Sequence, residues 1–220
     1  MSEENTPLKI LNLYAGIGGN RKLWDEVTDI EVTAVEIKEE IANIYQDFFP
    51  EDEVVIADAH EYLKEHYEEF DFIWSSPPCP THSRLRKNFA MNDDRRPIDA
   101  KYPDMELYEE ILFLKGYFKG NWVVENVISW YEPLIRPQEV ARHYFWSNFI
   151  IPTKILGRNL IQGYTIDKLQ ESYGFDLSDY TLKNSRKDQV LKNCVHPKLG
   201  KHILECAVKK KQKNLKDMVK

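Results

Sequence analysis

Residues 8–20 read LKILNLYAGIGGN, a short apolar stretch followed by a glycine-rich turn. The apolar part, Leu8 to Leu13, predicts a buried β-strand. Glycines let the backbone approach a ligand closely, and the N-terminus of a following helix offers free amides. The segment therefore predicts a ligand-binding turn at the end of a first strand, with a bare structural turn as the alternative.

Strands and helices alternate over the first 130 residues. Short apolar runs predict strands, and the longer amphipathic stretches between them predict helices. This alternation predicts an α/β fold, a mostly parallel twisted sheet with helices on both faces. After Tyr131 the alternation weakens, and residues 152–186 are polar and irregular. The predicted strands are 8–13, 31–35, 54–56, 72–74, 122–127 and 143–151, and the predicted helices are 38–49, 59–69, 105–118 and 196–213.

The composition fits one globular enzyme domain. Of 220 residues, 42% are hydrophobic and 30% are charged. The chain has neither a membrane-spanning apolar run nor a signal-peptide pattern, so we expect no membrane partner and a cytoplasmic location. Its three cysteines, Cys79, Cys194 and Cys206, predict a reducing compartment and no metal site. The net charge of −6 is unusual for a nucleic-acid enzyme, although basic residues cluster after Cys79 and at the C-terminus.

Residues 75–80 read SSPPCP and follow the apolar run FDFIW. Proline fixes φ and cannot continue a strand, so the two prolines predict a rigid turn that presents the Cys79 thiol. Glu125 lies near the end of the next predicted strand. A thiolate and a carboxylate at two strand ends suit nucleophilic addition to a ring that is protonated as it is attacked. The alternative for Cys79 is a small buried apolar residue.

Two further carboxylates follow predicted strands. Glu36 comes after the second strand, where an acid can accept hydrogen bonds from ribose hydroxyls, and Asp58 comes after the third, where it can accept from an adenine amino group. Either acid alone is also explained as a helix cap. Together with the glycine turn, they favour an adenosine-containing cofactor at the carboxyl edge of the sheet.

Six segments within residues 8–208 form an ordered set. They are YAGIGG at 14–19, VEI at 35–37, ADA at 57–59, PPC at 77–79, ENV at 125–127 and LKNCVHP at 191–197. In this order and spacing they resemble the motifs of the cytosine-5 DNA methyltransferase family, prokaryotic or phage type. Tyr14 stands where that family usually has phenylalanine.

Two positions depart from the family pattern. Pro80 follows the cysteine where the family usually has glutamine, which affects the loop but not the nucleophile. The family's paired-arginine motif is harder to place. Residues 142–148 read RHYFWSN, so that His143 occupies the place of the second arginine and Arg142 is the neighbouring candidate. The aromatic residues of this stretch fit a buried strand.

The resemblance implies a Rossmann-like class I methyltransferase fold and S-adenosylmethionine as cofactor. It implies methyl transfer to carbon 5 of cytosine in DNA, through a covalent Cys79 adduct on a base flipped out of the duplex. Glu125 would hold the ring nitrogen at position 3 and the exocyclic amine, with Arg142 near the carbonyl oxygen. The implied cofactor-binding residues are Tyr14, Gly16, Gly18, Gly19, Glu36, Ile37, Asp58, Ala59, Pro78, Asn193 and Val195.

The implied partner is double-stranded DNA, and a cognate restriction endonuclease is a further candidate partner. We expect a monomeric enzyme in a bacterial or phage-infected cell. Residues 80–102 suit a lid that closes over the base. The expected division is a catalytic and cofactor-binding domain at 1–151, a small target-recognition insert at 152–186, a return segment at 187–208 and a basic tail at 209–220. The candidate DNA contacts are Ser83, Arg84, Arg86, Lys87, Lys154 and Arg158.

Three alternatives stay open at this point. A tRNA-specific branch shares these motifs, so an RNA cytosine-5 methyltransferase is the first. The second is a catalytically degenerate relative that binds DNA or cofactor without turnover, which intact Cys79 and Glu125 argue against. The third is a thiol enzyme unrelated to methylation, which the pair of Glu36 and Asp58 argues against.

Overall fold

The computed structural model describes residues 6–84, 101–153 and 165–218, and seven strands within them form one sheet. The strands are β1 (Leu8–Leu13), β2 (Ile30–Val35), β3 (Glu53–Val55), β4 (Phe72–Ser75), β5 (Asn121–Val127), β6 (Gln138–Val140) and β7 (His143–Ser147). Their order is β3-β2-β1-β4-β5-β7-β6. The first five pair in parallel, and β7 is antiparallel to both of its neighbours. The predicted mostly parallel sheet is confirmed, and the order is that of the class I methyltransferase fold.

Six α-helices accompany the sheet in the described part of the chain. They are α1 (Glu39–Phe48), α2 (Ala59–His66), α3 (Glu106–Tyr117), α4 (Ile166–Tyr173), α5 (Lys187–Lys192) and α6 (Pro197–Met218). The four helices predicted from the sequence correspond to α1, α2, α3 and α6, the second of them continuing as a 3-10 turn at Tyr67–Glu69. None of the helices within the described ranges is long and apolar enough to cross a membrane.

The segment after the glycine turn differs from the expectation. It is a 3-10 helix, Arg21–Glu26, rather than the N-terminus of an α-helix, and Leu23 inside it has non-helical φ and ψ of −118° and 17°. This helix carries the buried Arg21 side chain. Its guanidinium donates to Asp52 at 2.8 and 2.9 Å and to Asp25 at 2.5 and 3.1 Å.

The sheet order changes direction at β1, which lies between β2 and β4. In open α/β sheets the ligand crevice lies beyond the carboxyl ends of the strands at such a switch point. Leu13, the last residue of β1, pairs with Val35 on one side and with Ser75 on the other. The glycine turn, the loop of Glu36 and the proline-proline-cysteine step therefore leave the sheet side by side.

Residues 165–191 contribute buried side chains to the core, and the expected division into domains stays a prediction. Leu169, Tyr173, Phe175 and Leu177 are buried with apolar residues of α1 in one cluster. Gly174 ends α4 in the left-handed conformation, φ 71°, that suits a glycine cap. The second half of the expected 152–186 insert is thus part of the core beside the glycine turn. A role in target recognition stays a prediction, and residues 154–164, with Lys154 and Arg158, lie outside the described residues.

Candidate active site

The Cys79 loop begins where β4 ends. Pro77 is buried and Pro78 is exposed, so that Cys79 follows at the edge of the sheet and is itself half-buried. The side-chain amide of Asn126 donates to the Pro77 carbonyl at 3.0 Å, and Asn126 is buried. Since Asn126 adjoins Glu125 on β5, one hydrogen bond joins the strand of the carboxylate to the base of the cysteine loop.

The segment after Cys79 is a tight turn held against the residues that follow β5. The backbone amides of His82 and Ser83 both donate to the Cys79 carbonyl at 3.0 Å. Trp130 donates its backbone amide to His82 at 3.1 Å and its indole N–H to the Thr81 carbonyl at 3.0 Å. The turn and the β5 loop therefore form one connected unit around the thiol.

His82, within this turn, is a buried histidine in a mixed environment. Its Nδ1 lies 2.6 Å from the Tyr131 hydroxyl, while its Nε2 is buried and has no hydrogen-bond partner. Burial lowers the pKa of His82, although Asp104 acts in the opposite direction. The lowered pKa favours the neutral ring, and the contact with Tyr131 joins the turn to the residues that follow β5.

Burial raises the pKa of the Cys79 thiol, and the negative charge of Glu125 raises it further. The resting group is therefore the thiol. Cys79 follows β4 and Glu125 lies on β5, and these two strands are parallel neighbours in the sheet.

Glu125 contacts a side chain of the neighbouring strand β7. Its Oε1 lies 2.6 Å from Nδ1 of His143, and the two side chains are 9% and 27% exposed. Arg142 lies in the β6–β7 turn, exposed and with a positive φ of 70°. Residues alternate between the two faces of a strand, so a shift of one residue decides which neighbour can face Glu125. The structure places His143 there, and a role for Arg142 stays a prediction.

The glycine turn has one open position. Gly16 has φ 57°, and a Cβ added there would meet nothing within 4 Å. A Cβ on Gly18 would lie 2.3 Å from a Phe49 ring atom, and one on Gly19 would lie 2.6 Å from the Cβ of Cys194. Gly18 and Gly19 are therefore required by packing, against α1 and the 193–195 segment respectively, whereas Gly16 faces space that a ligand can enter.

Both predicted cofactor acids also bind backbone amides. Glu36 accepts from Gly16 N at 3.1 Å and from Lys38 N at 3.0 Å, which fixes the glycine turn to the end of β2. One oxygen of Asp58, Oδ1, accepts from the amides of His60 and Glu61 at 2.9 and 3.1 Å, which makes Asp58 the N-cap of α2. The capping alternative is thus real for Asp58, whereas Glu36 holds the glycine turn, and the role of both acids as cofactor ligands stays a prediction.

Two exposed isoleucines complete the crevice. Ile37 and Ile56, which follow β2 and β3, are 62% and 53% exposed. Exposed apolar side chains beside carboxylates and an open glycine suit a flat heterocycle attached to a ribose, so these residues fit an adenosine-containing cofactor. Ile56 was not among the predicted site residues, because a final apolar residue of a strand is ordinarily assigned to the core.

The remaining predicted cofactor residues differ in their burial and in their contacts with the glycine turn. Ala59 is buried at the start of α2, and Val195 is buried with its carbonyl 2.7 Å from a Cβ built on Gly19. Asn193 is exposed and accepts from the Gln189 side chain at 2.6 Å. The late segment therefore returns to the glycine turn, as the resemblance implied.

Sequence reasoning missed a buried carboxylate below the crevice. Glu110 of α3 is 0% exposed. It accepts hydrogen bonds from the hydroxyl of Tyr14 at 2.6 Å and from that of Ser75, and His60 Nδ1 lies 3.3 Å from it. The hydrogen bond to Glu110 raises the pKa of His60, and burial followed by the Glu110 charge raises that of Tyr14. Glu110 thus links the cofactor turn, the end of β4 and the start of α2.

Of the predicted DNA contacts, only Ser83 and Arg84 lie in the described residues, and Arg86 and Lys87 do not. Arg84 is exposed and donates to the Ser129 carbonyl at 3.0 Å, and Ser83 forms an isolated bridge with Ser129. Both are therefore used in holding the Cys79 turn. The described parts of the chain hold no cluster of three or more potential metal ligands.

Comparison with known proteins finds similarity to methyltransferases. The fold and the crevice define a class I methyltransferase architecture. The model of the C-5 cytosine-specific DNA methylase family matches residues 8–105, which confirms the resemblance that the motifs indicated. The human tRNA (cytosine(38)-C(5))-methyltransferase is 25% identical over 225 residues, covering 95% of this chain and 53% of the human protein. The chain thus spans about half the length of that relative.

Solved structures give the same picture at the level of the fold. The Entamoeba histolytica methyltransferase EhMeth is 12% identical, with a TM-score of 0.52 over 93% of this chain and 99% of its own. A mutant of Spodoptera frugiperda DNMT2 is 28% identical, with a TM-score of 0.37 over 55% of this chain and 35% of its own. The first of these supports the shared fold alone.

Proposed function

We propose that the protein methylates carbon 5 of cytosine in double-stranded DNA, with S-adenosylmethionine as the methyl donor. The observation that carries this proposal is the placement of Cys79 after β4 and of Glu125 on the neighbouring β5, with a hydrogen bond from Asn126 to Pro77 that joins the cysteine loop to β5. The family match over residues 8–105 supports cytosine as the target. The exposed isoleucines and the open glycine support the cofactor.

The chemistry follows from the two side chains. Carbon 5 of cytosine is not nucleophilic, and addition of the Cys79 thiolate to carbon 6 makes it so. Glu125 holds the ring at position 3 and at the exocyclic amine, where it relieves the negative charge that addition creates. S-adenosylmethionine, when bound, supplies an electrophilic methyl group. A base, for which water can serve, then removes the carbon 5 proton, the carbon 5–carbon 6 double bond forms again, and Cys79 leaves with the electrons of its bond to carbon 6.

The resting state of Cys79 bears on this sequence. Its raised pKa keeps the thiol protonated in the free protein, so the thiolate forms in the substrate complex. A base must leave the duplex to reach this thiol, at a cost of a few kcal/mol. The basic residues after Cys79 are the proposed DNA contacts of the lid. The endonuclease partner, the monomeric state and the cellular location stay predictions.

An RNA substrate is the second candidate, and the printed activity of the human relative favours it. The deciding experiment incubates the purified protein with a methyl-labelled cofactor and either duplex DNA of mixed sequence or total tRNA. We expect labelled 5-methylcytosine in the DNA and none with Cys79→Ser. Label confined to tRNA would replace the proposed substrate, and label in neither nucleic acid would contradict the proposed function.

A further inference from the structure

The contact between Glu125 and His143 addresses a requirement of the proposed mechanism. The ring nitrogen at position 3 needs a proton as the thiolate adds, and an ionised carboxylate has none to give. His143 Nδ1 lies 2.6 Å from Glu125 Oε1, a distance at which one hydrogen is shared between a nitrogen and an oxygen. The role requires a doubly protonated imidazole, because an imidazolium can pass its Nδ1 proton to Glu125 and remain a neutral ring.

We propose that His143 is the proton source for Glu125, an inference that rests on the proposed function. As the electron pair of the Cys79 thiolate forms the bond to carbon 6, position 3 takes a proton from Glu125. Glu125 takes the Nδ1 proton from His143, which becomes neutral. When Cys79 leaves, the proton at position 3 returns through Glu125 to His143, so the pair is unchanged at the end of the cycle.

A histidine can perform this role and an arginine cannot. Guanidinium is not deprotonated in proteins, so an arginine beside Glu125 would supply charge and hydrogen bonds but no proton. The 27% exposure of the His143 side chain gives solvent access for exchange of that proton, while Glu125 is nearly closed off. The departure from the family's arginine therefore changes the chemistry available at this position.

The surroundings of the pair are simple. On the cysteine loop, Cys79 is the titratable group whose pKa is raised in part by the negative charge of Glu125. On β6 the residue opposite His143 is Val140, which carries no charge, and Arg142, in the turn before β7, is exposed. A role as proton source predicts a rate that falls at alkaline pH, because the pair then has no proton to give.

The test measures single-turnover methylation of duplex DNA against pH for the wild type, His143→Gln and His143→Arg. We expect His143→Gln to lose roughly 10²-fold or more in rate, the typical contribution of a general acid, with unchanged cofactor affinity. We expect His143→Arg to keep a contact with Glu125 and to lose the alkaline limb. His66→Gln is the matched control. It removes another histidine–glutamate contact, between His66 Nδ1 and Glu69 Oε1 at 2.8 Å, which is not part of the proposed site.

The outcomes separate this inference from the function on which it rests. Two results would overturn the proton role alone while Cys79-dependent methylation is retained. One is an unchanged rate and pH profile in His143→Gln, and the other is an alkaline limb that persists in His143→Arg. The absence of any Cys79-dependent methylation overturns both. Cofactor affinity, measured on every variant, shows that each is folded, and its loss in His143→Gln would make the residue structural and contradict the inference.

Discussion

Asn126 donates its side-chain amide to the carbonyl of Pro77 across 3.0 Å, and both residues are buried. This bond fixes the loop of the proposed nucleophile to the strand of the proposed acid. The same amide group accepts from the backbone of Val127 at 2.9 Å, so the side chain is held from both ends.

We expect Asn126→Ala to reduce methylation while cofactor affinity is retained. The substitution leaves the buried Pro77 carbonyl without its partner, which costs about 1–3 kcal/mol of stability. Thermal unfolding measures that cost, and a methylation assay below the unfolding temperature measures the catalytic effect. Asn148→Ala removes two side-chain hydrogen bonds at the opposite end of β5, to the Gly120 carbonyl and from the Trp122 amide, and is the control. Full activity in Asn126→Ala would show that the loop needs no such anchor.

Asp58 allows its two roles to be separated. Asn caps a helix about as well as Asp, so Asp58→Asn keeps the N-cap of α2, whereas Asp58→Ala removes it at a cost of about 0.5–2 kcal/mol. If the carboxylate also accepts from the cofactor, Asp58→Asn loses roughly tenfold or more in affinity for S-adenosylmethionine. Calorimetry measures that affinity. Unchanged binding in Asp58→Asn would leave the residue as a cap only.

The contact between His60 and Glu110 predicts a pH-dependent contribution to stability. Glu110 raises the pKa of His60 in the folded protein, so the folded state binds the His60 proton more tightly than the unfolded state does. The contribution is complete below the ordinary histidine pKa of about 6.5 and is lost as pH rises through the raised value. We expect the difference in free energy of unfolding between wild type and His60→Gln to be larger about one pH unit below the ordinary histidine pKa than about two units above it. A difference independent of pH would contradict the ion pair.

The strands could be predicted from the sequence, whereas the orientation of the site side chains depends on tertiary structure. Apolar runs located β1 to β5, while β6 is only three residues long and gives too short a pattern. Glu110 falls in an amphipathic helix, where a glutamate is ordinarily assigned to solvent, and only the fold shows that it faces the end of β4. For the same reason the choice between Arg142 and His143 depended on strand register. The buried residues Leu169 and Tyr173, four apart, were a helical signal within the segment expected to be an insert.

The central claim is that Cys79 forms a covalent bond to carbon 6 of the target cytosine. Duplex DNA with 5-fluorocytosine at the methylated position tests it, because fluorine cannot leave as a cation and the enzyme cannot be released after methyl transfer. We predict an adduct that resists denaturation, forms only with S-adenosylmethionine present, maps to Cys79 by peptide mass analysis and is absent in Cys79→Ser. Methylation of ordinary duplex by Cys79→Ser, or turnover by the wild type without a trapped Cys79 adduct, would contradict the account.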